Sequence, residues 1–265
     1  MTTTTLAPHR TADDLEAAQR DLAEVGIAVV TGALDADTLS TARAALYDAA
    51  ARDRAEGREV RFGLDYQTDT TNQRVWNLPN RHPVFCAIAE HPVALSLVRT
   101  TIGWPALLSN ISANITGPGG GEMVLHADQL YMPQPWSGVQ GVNVLTCLDD
   151  FTEENGGTRV VPGSHELNRT PSGDDNAVDT IAIEAPAGSM VAVDGRIWHK
   201  TGNNRTAGAR RAGVFAWYTI PIYRAQENWF LALDEHVVEH ASDDLLVLLG
   251  YKAMGLGLVN GASPR

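Results

Sequence analysis

The chain is poor in cysteine and has no long apolar run. Its 2 cysteines, Cys86 and Cys147, lie far apart without a C-x-x-C spacing, which excludes a disulfide framework and a thiolate zinc site. No run approaches the roughly 20 apolar residues of a membrane span. The opening MTTTTLAPHR lacks the basic and apolar segments of a secretory signal. These absences predict a cytoplasmic protein with no membrane partner.

Basic charge is also in short supply. The formal net charge is −12, which argues against the phosphate backbone of a nucleic acid as a partner. A small anion is not excluded, because one buried arginine can dominate its own pocket. We therefore expect a small-molecule partner and no nucleic acid, and the sequence leaves the oligomeric state open.

The first hundred residues have helical periodicity around one short strand. Thr11 is a candidate N-cap for a first helix that ends at Gly26. The β-branched segment IAVVTG at 27–32 predicts a strand, and Asp37 is a candidate cap for a second helix. HPVALSLVRTTIG at 91–103 predicts a third helix.

From about residue 107 the pattern changes to short apolar or alternating runs separated by glycine and proline. Such punctuation predicts an antiparallel sandwich or barrel. A closing helix is expected over 227–249, a mobile loop over 172–179, and a disordered tail over 1–12. The sequence thus predicts one domain over 1–265, mostly β with flanking helices.

The segment LHADQ at 125–129 raises the question of a metal site. On a strand, His126 and Asp128 would point to the same face and could bind one ion. Taken alone the pair means little, because roughly every second chain of this length and composition would contain one by chance. A second histidine would complete three ligands on one face of an octahedron, as in non-haem iron oxygenases.

Among the 8 histidines, His199 is the best candidate for that third ligand. It lies where a predicted strand meets a turn, whereas the others fall in the tail, in helical segments or in the PGSH turn. The alternative is an ordinary turn histidine. An arginine pair, Arg210 and Arg211, then enters an apolar strand, so one guanidinium faces inward and needs an anionic partner such as a dicarboxylate.

Three segments together resemble the phytanoyl-CoA dioxygenase-like family of Fe(II)/2-oxoglutarate-dependent oxygenases. They are HAD at 126–128, NGGTRVVPGSH at 155–165 and HKTGNNRTAGAR at 199–210, the last with the pattern H-x-[ST]-G-x-N-x-[ST]-x4-R. The similarity extends from EVGIAVVTGAL near the start to LLGYKAMGLGLVNG near the end. It implies a double-stranded β-helix core, the jelly-roll or cupin-like fold, with iron at one open end.

The resemblance also implies roles for individual residues. His126, Asp128 and His199 would bind Fe(II). Cosubstrate contacts to 2-oxoglutarate would come from Arg210 at the distal carboxylate, with help from Thr201, Thr158 and Asn114. Relatives often have Gln or Lys just ahead of the H-x-D, where this chain has Glu122 and Met123.

The implied activity is hydroxylation, or another oxidation, of an unactivated C–H bond in a small molecule, with 2-oxoglutarate and O2 as cosubstrates and succinate and CO2 as products. A natural-product intermediate is the expected substrate type. The carboxylate ligand Asp128 favours hydroxylation over halogenation. Candidate substrate contacts are Trp76, Tyr131, Met132 and Trp136, although aromatic residues are more often core than pocket.

Two other classes of protein fit parts of this pattern. A jelly-roll metalloenzyme that does not use 2-oxoglutarate, such as an isomerase or another dioxygenase, would need no dicarboxylate anchor. A catalytically inactive relative could serve as a binding protein, but it would not need an intact metal triad.

Overall fold

The structure is a computed structural model that describes residues 6–58, 71–253 and 255–265. Its strands are β1 (His9–Thr11), β2 (Ile27–Thr31), β3 (Asn72–Val75), β4 (Leu107–Thr116), β5 (Gly141–Cys147), β6 (Thr158–Val161), β7 (Ile181–Ala182), β8 (Met190–Asp194), β9 (Trp198–Thr201) and β10 (Arg211–Thr219). Its helices are α1 (Leu15–Val25), α2 (Ala36–Ala55), α3 (Pro83–Ala89), α4 (Pro92–Ile102), α5 (Trp229–Ala232), α6 (Glu235–Glu239) and α7 (Asp243–Leu248). Among these described residues no helix has the length and apolar character that a bilayer crossing requires.

The strands form two sheets, which confirms the predicted jelly-roll core. The larger sheet has the order β1-β2-β8-β5-β10-β4-β3, and the smaller has the order β7-β6-β9. Apart from the parallel pair β1 and β2, neighbouring strands are antiparallel. Because side chains alternate along a strand, each strand of the larger sheet contributes to two different layers.

The outer layer lies between the larger sheet and the helices. Alternate residues of the central strands, such as Ile111, Val144 and Val214, join α1, α2, α3 and α4 in one buried apolar cluster. The inner face points toward the smaller sheet. There a second apolar cluster contains Leu145, Val160 and other residues of both sheets. Toward one end of this inner layer the buried side chains are polar instead of apolar. That polar end is the pocket described below.

Two predictions near the N-terminus are corrected by the structure. The N-cap of α2 is Asp35, whose carboxylate accepts from the Thr38 amide at 2.8 Å, and not Asp37, which lies inside the first turn. Residues 6–12 are not a disordered tail, since Ala7 is buried and His9–Thr11 pairs with β2. Residues 1–5 of that prediction lie outside the described part.

The segment at 227–249 also differs from expectation, whereas the segment at 172–179 is a mostly exposed loop whose mobility stays a prediction. Instead of one closing helix, the first contains the three short helices α5, α6 and α7. The second contains a 3-10 turn at Gly173–Ala177 whose Asp175 forms a two-hydrogen-bond ion pair with Arg169. Helices as short as α5, α6 and α7 contain too few turns for hydrophobic periodicity to define where each begins and ends.

Candidate functional site

His126 and His199 are held side by side by the backbone. The His126 amide donates to the His199 carbonyl at 3.0 Å, and the His199 amide donates back to the His126 carbonyl at 2.8 Å. Such a directly opposed antiparallel pair places both side chains on the same face. The ring centroids are consequently 4.3 Å apart.

Asp128 reaches the same point by a different route from the predicted one. The segment around LHADQ is not a regular strand, because His126 forms an isolated bridge and Asp128 begins a 3-10 turn at Asp128–Tyr131. The Asp128 Oδ1 nevertheless lies 3.8 Å from His126 Nε2 and 3.7 Å from His199 Nε2. One ligand atom from each residue lies within 4.8 Å of the others, so a single ion can contact all three.

Hydrogen bonds to the backbone fix the tautomer of both imidazoles so that Nε2 can bind a metal ion. His126 Nδ1 lies 2.9 Å from the Val124 carbonyl and His199 Nδ1 lies 3.0 Å from the Ile197 carbonyl. Because a carbonyl only accepts, each Nδ1 carries the proton and each Nε2 keeps its lone pair for a metal. Burial and the neighbouring His199 lower the pKa of His126, which keeps this ring neutral.

Two residues that the sequence did not single out orient the aspartate. Asn143 on β5 donates from Nδ2 to Asp128 Oδ2 at 2.7 Å, which leaves Oδ1 for the metal side. Gln129 is fully buried and holds the 3-10 turn: its amide donates to the Gly195 carbonyl, and its side chain bonds to the backbone at Gly138 and Gln140. Neither role has a local sequence signal, because each depends on partners brought in by the fold.

The arginine that faces inward is Arg211 and not Arg210. Arg210 is exposed, whereas Arg211 is fully buried and pairs in register with Thr116 of β4. Its Nη2 donates to Thr116 Oγ1 at 2.7 Å, and its guanidinium carbon lies 4.4 Å from the Phe151 ring centroid. The sequence pattern has four residues between Thr206 and its arginine, which places that arginine at Arg211, and the choice of Arg210 overlooked this count.

Arg211 has hydrogen-bonding capacity left over. Within the described part of the chain its Nε and Nη1 have no acceptor. Burial lowers the pKa of this guanidinium to about 10, which still leaves it charged near neutral pH. A buried cation with unused N–H groups is costly unless an anion satisfies it.

A second cation, Arg74, faces the pocket from β3. Arg74 pairs with Asn114 of β4, so it shares the inner face with Arg211 on the other side of that strand. Burial lowers its pKa, and Asp128 opposes that effect. Its Nη2 lies 3.7 Å from Met123 Sδ, and no carboxylate of the described residues pairs with it. The alternation in NQRVW places Arg74 and Trp76 on one face, which could have identified it.

The pocket has a volume of about 670 Å³ and contains most of the predicted contacts. Asn114, Thr158 and Thr201 line it, and Thr158 pairs with Thr201 across the smaller sheet. The Thr201 hydroxyl donates to Met123 Sδ at 3.2 Å, and Asn114 Oδ1 is buried without a donor among the described residues.

The four candidate substrate contacts divide into two groups. Trp76, Tyr131 and Met132 line the pocket, and Tyr131 is 68% exposed at its mouth. Trp136 does not line it: this indole is buried against Met132 and Trp198 and donates to the Met132 carbonyl at 3.2 Å. Trp136 is therefore a core residue, and the prediction that it contacts substrate is corrected.

Comparison with known proteins gives both a family and a fold. The sequence profile of the phytanoyl-CoA dioxygenase (PhyH) family matches residues 22–212. The dioxygenase af480 of Aspergillus fumigatus is 36% identical over 244 residues, covering 91% of this chain and 79% of its own.

Solved structures share the fold at lower identity. The non-heme alpha ketoglutarate dependent epimerase SnoN from nogalamycin biosynthesis is 23% identical with a TM-score of 0.63, over 83% of this chain and 88% of its own. HygX from Streptomyces hygroscopicus, solved with nickel, 2-oxoglutarate and hygromycin B bound, is 16% identical with a TM-score of 0.63, over 78% of this chain and 88% of its own.

Proposed function

The chain belongs to the phytanoyl-CoA dioxygenase family and is an Fe(II)/2-oxoglutarate-dependent dioxygenase, and from that premise we propose that it oxidises a C–H bond of a small molecule in the pocket beside His126, Asp128 and His199. These three residues would hold the iron through the two Nε2 atoms and Asp128 Oδ1. When bound, iron and 2-oxoglutarate supply the oxidative decarboxylation that couples reduction of O2 to substrate oxidation and releases succinate and CO2.

The observation that carries this proposal is the pair of unused N–H groups on buried Arg211. A guanidinium binds a carboxylate through two neighbouring N–H groups, and Nε and Nη1 each belong to one edge of the Arg211 fork, with Nη2 common to both edges. Arg211 would therefore bind the distal carboxylate of 2-oxoglutarate, the role first expected of Arg210. The Thr116 hydroxyl holds the guanidinium in place through its contact with Nη2.

Arg74 would contact the 2-oxo-acid end of 2-oxoglutarate, opposite the carboxylate that Arg211 binds. The negative charge of Asp128 is close enough to raise the pKa of Arg74, and Arg74 has no paired carboxylate among the described residues. Two arginines and a divalent metal against one aspartate leave an excess of positive charge, which a dianion offsets. Asn114, Thr158 and Thr201 would supply the neutral contacts between the two ends.

The substrate shares the pocket with 2-oxoglutarate, so it is a small molecule. The volume of about 670 Å³ lies within the usual range for small-molecule sites. SnoN and HygX are described with nogalamycin biosynthesis and hygromycin B. By analogy we propose a natural-product intermediate. The cytoplasmic location and the absence of a nucleic-acid partner rest on composition and stay predictions.

Neither alternative class explains the site as well. A jelly-roll metalloenzyme without 2-oxoglutarate leaves Arg211 buried without an anion. A catalytically inactive relative leaves two histidines with free Nε2 atoms converging on one carboxylate for no purpose. The Asp128 carboxylate also favours hydroxylation over halogenation, since it occupies the position that a halide would need.

The direct test is an anaerobic titration of the protein with Fe(II) and then 2-oxoglutarate, followed by the visible metal-to-ligand charge-transfer band of the bound pair. We expect the band in the wild type and in His240→Ala, a control at an exposed histidine. We expect no band in His126→Ala. A wild type without the band, or an undiminished band in His126→Ala, would contradict the proposal.

A further inference from the structure

Asn143 contacts the proposed metal ligand Asp128 and also lines the pocket. It lies on β5 opposite Trp217 of β10, on the inner face of the larger sheet. Its Nδ2 donates to Asp128 Oδ2 at 2.7 Å, while its Oδ1 is buried and has no donor among the described residues. The pocket is lined by this side chain next to the metal ligand.

The orientation of the Asn143 amide is decided by chemistry. An ionised carboxylate only accepts hydrogen bonds, so the group that faces Asp128 must be the NH2 and not the carbonyl. The free group is therefore a carbonyl oxygen, which only accepts. A buried acceptor without a partner costs free energy, and a hydrogen-bond donor on a ligand would remove that cost.

An aromatic surface lies on β10, the strand that pairs with β5 at Asn143. A Cβ added at Gly141 would come within 2.3 Å of Trp217 Cη2, and one added at Gly195 within 2.4 Å. The two glycines thus form the slot that seats the indole on the inner face. Phe215 continues the same surface two residues earlier on β10.

The charge of the lining selects against cationic donors. Among the described residues that line the pocket, Asp128 is the sole carboxylate, and its role is to bind metal. Arg74, Lys200 and Arg224 add positive charge, although Lys200 is paired with Glu122 at 2.7 Å. An ammonium group would therefore be disfavoured, whereas a hydroxyl or an amide N–H would not.

We propose that Asn143 is a substrate-positioning residue that accepts a hydrogen bond from a hydroxyl or amide N–H of a neutral, flat substrate lying against Trp217. This proposal rests on the proposed function, because the bound donor group would contribute to catalysis only if His126, Asp128 and His199 hold the iron. The carbon that carries the donor group, or its neighbour, is then the one presented for oxidation. The pocket would discriminate against the corresponding ether.

The test is a binding comparison in the metal-free protein with naphthalene-2,6-diol and 2,6-dimethoxynaphthalene, measured by saturation-transfer NMR titration. The preference of the wild type for the diol should fall about fivefold in Asn143→Leu, the ratio that one neutral hydrogen bond supplies. Asn143→Val gives the same comparison with a β-branched residue should the leucine variant fail to fold. Thr146→Val is the matched control, because Thr146 lies on β5 and faces the opposite layer.

Binding of Mn(II) to the same variants gives a second readout. Loss of the Asn143–Asp128 hydrogen bond should weaken Mn(II) binding about tenfold or more, an effect that Thr146→Val should not show. An unchanged diol preference in both Asn143 variants would overturn the proposal, as would a wild type that binds neither probe. The charge-transfer band tests the function separately: a band with no diol preference refutes only the role of Asn143, and the reverse result refutes only the proposed function.

Discussion

Replacing Arg211 by methionine should weaken 2-oxoglutarate binding strongly without destabilising the fold. The guanidinium is fully buried, and its Nε and Nη1 have no acceptor among the described residues. Two hydrogen bonds to a carboxylate at about 1.5–3 kcal/mol each amount to about 3–6 kcal/mol. Because each 1.4 kcal/mol is tenfold in affinity, the Kd for 2-oxoglutarate should rise at least about a hundredfold.

Thermal unfolding with Mn(II) measures this change. At a 2-oxoglutarate concentration of about a hundred times the wild-type Kd, the ligand stabilises the wild type by about 2.7 kcal/mol. The same concentration should stabilise Arg211→Met by about 0.4 kcal/mol or less. The ligand-free variant should unfold at the same temperature as the wild type or higher, since an unpaired buried charge has been removed.

Arg210→Met is the matched control, because Arg210 is the adjacent arginine and is exposed. It should keep the full ligand-induced stabilisation. Loss of the stabilisation in Arg210→Met together with its retention in Arg211→Met would contradict the assignment of Arg211 as the carboxylate ligand.

Two further predictions concern the glycine slot and a buried histidine. Gly141→Ala should destabilise the protein by about 1–3 kcal/mol, because the new methyl would overlap the Trp217 ring. The control Gly138→Ala should be neutral, because its methyl meets no atom within 4 Å. Equal denaturant midpoints for the two variants would contradict this prediction. Burial lowers the pKa of His165, so the unfolded chain binds a proton below about pH 6.5 that the folded protein does not, and stability should fall as the pH drops below that value. In the metal-free protein, His165→Gln should lessen that loss in thermal melts between about pH 7 and 5, and an unchanged pH slope would count against the assignment.

The metal ligands were predictable because their signals are local or combine at fixed spacing. His126 and Asp128 are two residues apart, and His199 begins a long pattern of polar residues. The layer of each β-strand residue was less predictable. Arg210 and Arg211 are adjacent in the sequence, and a shift of one position decides whether a strand side chain faces the inner layer or solvent.

Other parts of the site depend on contacts between distant segments. Asn143 and Gln129 act on Asp128 only because β5 and the loops at Gly138 and Gly195 come together in the fold. Trp136 has the composition of a pocket residue but is buried by Met132 and Trp198. The two-residue error at Asp37 arose because Asp35 and Asp37 are both plausible caps, and only Asp35 has the extended backbone that a cap requires.

The proposed metal and 2-oxoglutarate sites can be observed together in a crystal structure of the protein with Mn(II) and 2-oxoglutarate, grown without O2. We expect one metal ion bound to His126 Nε2, His199 Nε2 and Asp128, with the distal carboxylate of 2-oxoglutarate on the Arg211 guanidinium. A metal ion bound elsewhere, or a 2-oxoglutarate whose distal carboxylate contacts Arg210 instead of Arg211, would contradict this expectation.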